Sequence, residues 1–374
     1  MNVVIDARSA DSPRSGIGNY TAHLLQEFQT QRGDVEITAI RRKGRVSPSV
    51  GPRFGVVEYP GDTKSAWTLG LGRARARTFQ EADLFHSPAD LVPLGLDCPW
   101  VVTIHDLMWV QTPELCASAR GERLVNAAWY RWHFGRAIRG ARRVIAISRA
   151  TADAIAQEYP SERDKVRVVH HGVDLDRYSP ERAGPREDLD TLVPRDVSYS
   201  LVVGQGSPYK NHVRMIRAFV EATKDRPREK LVLVRRFSRS DREMLELFQR
   251  PEVKAKVIQV SFISDELLLT LYRHANALLF VSHAEGFGMP VLEAMAIGTP
   301  VLTSRAPALL EVTGTAALHA SATDHGEMVE AMRRLSTDAE LREKLRAAGL
   351  ERAREFSWAA CARATLDVYR EAAS

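Results

Sequence analysis

Short apolar runs alternate with stretches of helical periodicity along nearly the whole chain. In the first half the runs are NVVID (Asn2 to Asp6), VEITAIRR, ADLFHSP, WVVTIHDL, RVIAIS and KVRVV. Each is short, apolar and followed by polar or glycine-bearing residues, the pattern of a buried strand. Between them TAHLLQEFQ, WTLGLGRARARTFQEA, SARGERLVNAAWYRWHFGRAIRGARR and SRATADAIAQEY predict helices, the last with Ser148 as N-cap. The second half restarts the alternation. SYSLVV, KLVLVRRF, KVIQVSFI, NALLFVS and TPVLTS read as strands. HVRMIRAFVEAT, SDREMLELFQ and SDELLLTLYRHA read as helices, and residues 325–374 are almost entirely helix-patterned. Two successive βα-repeating halves predict an α/β protein of two doubly wound, Rossmann-like domains rather than a single barrel. Residues 180–196 (PERAGPREDLDTLVPRD) are charged, proline-bearing and poor in apolar residues, and predict the linker. The expected divisions are 1–183, 184–350 and a C-terminal helix over 351–374.

The length of 374 residues exceeds what one core usually supports, in keeping with two domains. Hydrophobic content of 44% and charged content of 26% are those of a folded globular protein and exclude disordered or collagen-like classes. A net charge of +5 suits an anionic substrate or an acidic membrane surface. Cys98, Cys116 and Cys361 are scattered, which argues against a disulfide framework or a structural zinc site. No apolar run is long enough to cross a bilayer, and a cytoplasmic protein is expected, with peripheral membrane contact left open. From Trp129 to Arg143 the long helix carries five arginines, four aromatics and no acid. It reads either as a helix packing its aromatics into the core or as a basic amphipathic face touching anionic lipid; the core reading is favoured.

Candidate chemistry concentrates in HAEGFGMPVLEAMAIGTPV, residues 283–301. Glu285 falls in a glycine-bearing loop, and Glu293 on a helix that Pro290 is placed to begin. A glycine-rich loop entering a helix N-terminus suits a phosphate, while two carboxylates suit hydroxyls of a sugar or ribose. Lys210, in GQGSPYKNH after the first strand of the second half, adds a cation at a strand's carboxyl end. The spacing is not that of a P-loop. Gly16 and Gly18 follow the first strand, where they read as a tight turn or as a close approach to ligand. His86 and His105 stand at the ends of other strands. His86 reads as structural; for His105, followed by Asp106, structural and functional readings both stand.

These segments resemble the family-4 retaining glycosyltransferases of the GT-B fold. EGFGMPVLEAMAIGTPVL resembles that family's E-x(7)-E motif and GQGSPYKN its phosphate loop; SGIGNY, TIHDL, AISRAT and HHGVDLDRY follow in the family's order. The resemblance covers nearly the whole chain and is poorest over residues 44–80, the tract expected to meet the acceptor. It implies two Rossmann-like domains facing a central cleft, with the last helix crossing back onto the first. It implies that Glu285, His105 and Lys210 act at the reaction centre: Glu285 on the transferred sugar, His105 from the acceptor side, Lys210 on the departing diphosphate. Gly16, Gly18, Gly204, Gly286, Phe287 and Gly288 would line the donor, and Glu293 would take the ribose.

The resemblance further implies a metal-independent, retaining transfer that needs no cofactor, with front-side attack, since no residue stands out as a covalent nucleophile. The SPYKN loop resembles mannosyl- and rhamnosyl-type polysaccharide enzymes, so GDP-mannose is the first donor expected and a UDP-hexose the second. The acceptor would be a glycan or a lipid-linked glycan; no nucleic acid partner is expected. The chain departs from many relatives at Gln205, where they carry an arginine, and at Arg235 and Arg236, where they often carry glycine. One of these two arginines is a candidate for the missing charge. Competing readings are a phosphorylase or epimerase of the same fold, and a non-catalytic scaffold subunit of a glycan-assembly complex.

Overall fold

A computed structural model describes residues 1–374 except 12–14, 32, 46, 62, 64–66, 118–119, 236–241 and 262. The chain forms two compact units. Unit 1 comprises Met1–Pro113, Gly121–Gly172 and Phe356–Ser374; unit 2 comprises Glu114–Arg120 and Val173–Glu355.

Among the described residues, unit 1 holds a seven-stranded parallel sheet in the order β3-β2-β1-β4-β5-β6-β7. The strands are β1 (Asn2–Asp6), β2 (Glu36–Arg42), β3 (Gly55–Tyr59), β4 (Leu84–Ser87), β5 (Trp100–Ile104), β6 (Arg143–Ala146) and β7 (Val166–Val168). Helices cover both faces of such a sheet, so the central strands are continuous apolar runs; Val3, Val4, Ile5, Leu84, Phe85, Val101 and Val102 are all inaccessible to solvent. The helix Trp358–Ala373 begins at Ser357, whose side chain accepts from Ala360 N–H, and packs on the helix Gly16–Gln31. Its Tyr369 hydroxyl lies 2.6 Å from His86 Nδ1, while His86 Nε2 lies 2.9 Å from Thr103 Oγ1. His86 is wholly buried, and burial lowers its pKa to about 3. It is a neutral structural histidine tying the last helix to the sheet.

Among the described residues, unit 2 holds a six-stranded parallel sheet in the order β10-β9-β8-β11-β12-β13. These are β8 (Ser198–Val203), β9 (Glu229–Val234), β10 (Val257–Val260), β11 (Leu278–Phe280), β12 (Val301–Ser304) and β13 (Leu318–Ala320). The helix His212–Ala222 buries Met215, Ile216 and Phe219 against β8 and β9 residues Val202, Leu231 and Leu233. Ser148 caps its helix as expected, accepting from Thr151 N–H, and Ser264 likewise accepts from Leu267 N–H.

Two expectations change. Residues 180–196 are no free linker: they fold onto unit 2 as the turns Pro180–Arg182 and Arg186–Leu189, with Leu189 and Val193 fully buried. Arg186 donates to the carbonyls of Val193, Pro194 and Val197, so charge here closes the segment on itself. The helix Arg120–Gly140 follows neither simple reading. Its later part buries His133, Phe134, Ala137 and Ile138, but Leu124, Val125 and Trp132 are exposed at 65%, 70% and 49%. Among the described residues, no helix is long and apolar enough to cross a membrane.

Candidate active site

Two strand ends build the site in unit 2. β8 and β11 are neighbours through Leu201 and Leu278, yet the chain leaves them toward opposite edges, to β9 and to β12. That is the switch point at which open α/β sheets take their ligands. Gly204 closes β8, its N–H donating to Val234 O. A short turn, Pro208–Lys210, follows, and Asn211 adopts the left-handed conformation (φ 59°). Asparagine tolerates this because its short polar side chain finds local partners. Here its Nδ2 donates to Val281 O at 3.0 Å and Ala322 O at 2.9 Å, while His283 N–H donates to Tyr209 O. These bonds lash the loop after β8 to the end of β11.

Lys210 is thereby brought to Glu285. Its Nζ lies 2.8 Å and 3.1 Å from the two carboxylate oxygens, and 4.6 Å from the centre of the Phe280 ring. The pair is largely buried, so each charge is worth more than on the surface. The loop then runs through Gly286 and the buried Phe287 to Gly288, the N-cap of the helix Met289–Ala296. That helix starts one residue ahead of Pro290. At Gly288 φ is +104°, and a Cβ would stand 2.6 Å from Leu309 Cδ2. The positive end of the helix therefore opens beside the ion pair, with glycine required at its entry.

Glu293, one helix face further on, is buried. Its carboxylate receives the Tyr272 hydroxyl at 3.4 Å and that of Tyr178. Burial raises its pKa, and the two phenols and Arg177 oppose that rise. Arg177 itself pairs with Asp265 at 2.7 Å. At β9, Arg235 is buried and points to the loop at Gly206; Arg236 lies outside the described residues.

In unit 1, Gly16 and Gly18 are not in a loop but in the first turn of the helix Gly16–Gln31, where Ser15 Oγ accepts from Gly18 N–H. Among the described residues, no heavy atom within 4 Å would oppose a Cβ on Gly16, so packing does not account for that glycine. His105 follows β5. Its backbone N–H donates to Asp90 Oδ1 at 2.8 Å, and its Nε2 donates to Pro88 O at 2.8 Å. A carbonyl can only accept, so Nε2 carries the proton of that bond. Asp106 instead accepts from Met108 N–H and shapes the following turn. The ring stands edge-on to Tyr20, 5.2 Å between centroids.

The structure thus brings Lys210, Gly204, Glu285, Gly286, Phe287, Gly288 and Glu293 together in unit 2, and places Gly16, Gly18 and His105 in unit 1. Sequence reasoning missed Asn211, Tyr178 and Tyr272. Asn211 and Tyr178 had signals, in the KN dipeptide and at the end of HHGVDLDRY; Tyr272, 21 residues from Glu293 in sequence, had none. Among the described residues, no group of three or more His, Cys, Asp or Glu is arranged to hold a metal ion.

Residues 14–177 match the model of Glycosyltransferase Family 4, and residues 187–352 that of Glycosyl transferases group 1. The O-antigen chain mannosyltransferase B of Escherichia coli is 24% identical over 394 residues, 99% of this chain and 100% of that protein. The D-inositol 3-phosphate glycosyltransferase of Saccharomonospora viridis is 30% identical over 339 residues, 82% of this chain and 74% of that protein. Among solved structures, Anabaena HepE in complex with UDP and glucose superposes with a TM-score of 0.72 at 18% identity, over 99% of both chains. Two parallel sheets of this order define the GT-B fold. The chain belongs to the family-4, group 1 glycosyltransferases.

Proposed function

We propose that the chain transfers a hexose, with retention, from a nucleoside-diphosphate sugar to a glycan or lipid-linked acceptor in the cytoplasm, as a step of polysaccharide assembly. The observation that carries this is the Lys210–Glu285 pair at the β8/β11 switch point, beside the N-terminus entered through Gly288. GDP-mannose is the donor we favour, supported by the likeness to the E. coli mannosyltransferase. A UDP-hexose is second, supported by the likeness to HepE bound to UDP and glucose.

In this scheme the bond between sugar C1 and the diphosphate oxygen breaks first, and negative charge gathers on that oxygen. Lys210 and the amides at the helix start meet the charge with dipoles already in place. The acceptor hydroxyl attacks C1 from the same face, and its proton passes to the departing phosphate. Glu285 takes sugar hydroxyls, and Glu293 takes the ribose in exchange for a tyrosine hydroxyl. No metal or cofactor is required by these steps. The exposed Leu124, Val125 and Trp132, on a helix that also bears Arg123 and Arg131, support peripheral contact with anionic lipid where a lipid-linked acceptor resides.

Incubation of the full chain with a panel of GDP- and UDP-sugars, without acceptor, tests the proposal. Slow release of nucleoside diphosphate from one donor is expected. Binding of a nucleotide sugar with release from none, even with added acceptors, would favour a non-catalytic scaffold subunit.

A further inference from the structure

The inner side of the loop after β8 is lined from a strand the site has not so far used. Arg235 follows β9 directly, and its N–H still donates to Val260 O in the sheet. Its side chain turns under the neighbouring loop and is buried, with the residue 4% exposed. A Cβ on Gly206 would stand 2.0 Å from Arg235 Nη2 and 2.6 Å from its Cζ. Glycine at 206 is therefore what admits the guanidinium against the loop backbone. Arg235 Nη1 lies 3.2 Å from His212 Nδ1, at the start of the helix His212–Ala222. Arginine has donors only, so His212 Nδ1 is the acceptor and the ring is neutral. Burial, then Arg235 and Lys210, lowers the His212 pKa to about 3, which keeps it neutral at any ordinary pH. The far side of the same ring closes the cluster. A Cβ on Gly204 would lie 3.8 Å from His212 Nε2 and 3.9 Å from Lys210 Cδ and Cε. Arg235, His212 and Lys210 thus converge on one loop from three elements, and two of the three are cations.

We infer that Arg235 is the second cation of the donor site, seated beneath the Gly206 backbone and aimed by His212, and that its ligand is the diphosphate of the nucleotide sugar. This rests on the function proposed above. Lys210 meets the diphosphate from the Glu285 side; Arg235 acts from behind the loop amides, where low dielectric strengthens its field. His212 is a positioning residue: it supplies an acceptor that orients the guanidinium without cancelling its charge. Gln205, exposed on the same loop, need carry no charge itself.

A purely structural arginine would support the whole nucleotide pocket, whereas a diphosphate cation acts on phosphate alone. Calorimetric titration of the full chain with GDP, guanosine, UDP and uridine separates the two. For the nucleotide that binds, Arg235→Gln is expected to lose at least about tenfold in nucleoside diphosphate affinity with nucleoside affinity unchanged. Arg235→Lys should recover part of the loss. Gly206→Ala, which displaces the guanidinium but keeps its charge, should lose as Arg235→Gln does, and His212→Asn should lose in the same direction. The nucleoside arm reports whether each variant remains folded. Equal losses for nucleoside and nucleoside diphosphate, or no loss, would overturn the inference while leaving the glycosyltransferase reading intact. Failure of the unaltered chain to bind either diphosphate would overturn both.

Discussion

Lys210 Nζ sits between the two carboxylate oxygens of Glu285, at 2.8 Å and 3.1 Å, although 75 residues separate them in sequence. The two groups assigned to the diphosphate and to the sugar therefore neutralise one another when no donor is bound. In the proposed reaction the donor's phosphate draws the lysine from the carboxylate, which would couple arrival of the phosphate to release of Glu285 toward the sugar. Glu285→Gln should accordingly split the two functions. Nucleoside diphosphate affinity should rise several-fold, because Lys210 loses its competing anion, while turnover should fall by on the order of tenfold or more. Titration and steady-state assays on one preparation check both; parallel losses in affinity and turnover would contradict the coupling.

Gly288 makes the second prediction. At φ +104° an alanine is strained, and its Cβ would meet Leu309 Cδ2 at 2.6 Å. Gly288→Ala should cost about 1–3 kcal/mol in urea unfolding and reduce turnover further by turning the first amides of the helix Met289–Ala296.

Acid sensitivity follows from buried histidines. Burial lowers His86 to about 3; burial, then Arg136, lowers His133 to about 4; His212 lies at about 3. Each binds a proton near the ordinary value of 6.5 when unfolded but not when folded, so the unfolded state takes up protons first as pH falls. Stability is therefore full above about 6.5 and declines below it, by up to about 2 kcal/mol per histidine at pH 5. Paired carboxylates such as Glu327, held at about 2 chiefly by a hydrogen bond from Arg305, add their loss only below about 4.5. Thermal midpoints should already drop between pH 7.5 and 5.0; a flat profile over that range would contradict the neutral assignments.

The exposed stretch of the helix Arg120–Gly140 gives a fourth. The full chain should float with vesicles containing anionic lipid, and salt should weaken the association. Leu124→Ser combined with Trp132→Ser, both at exposed positions, should reduce flotation with little change in thermal midpoint. Flotation indifferent to lipid charge and to these changes would remove the surface from the account.

Much of this was legible in sequence where function and fold share a local signal. Buried strands announce themselves as apolar runs, and a loop between strand end and helix start announces itself by glycine, which is why Lys210 and the Glu285–Gly288 loop could be picked out in advance. Pairing across the sheet could not. Nothing local says that Lys210 reaches Glu285, or that Tyr178 and Tyr272 serve Glu293. The 180–196 segment misled because its apolar content is low, yet Leu189 and Val193 suffice to seat it. The arginine- and aromatic-rich helix was ambiguous because one helix does two things, burying Phe134 and Ile138 while exposing Leu124 and Trp132.

The most direct test of the central claim is release of nucleoside diphosphate from the preferred nucleotide sugar by the unaltered chain and by Lys210→Ala, at equal folded concentration. If Lys210 stabilises the departing diphosphate, turnover should fall on the order of 10²-fold or more while the nucleoside still binds. Undiminished turnover in Lys210→Ala would contradict the assignment of the reaction centre to the Lys210–Glu285 pair.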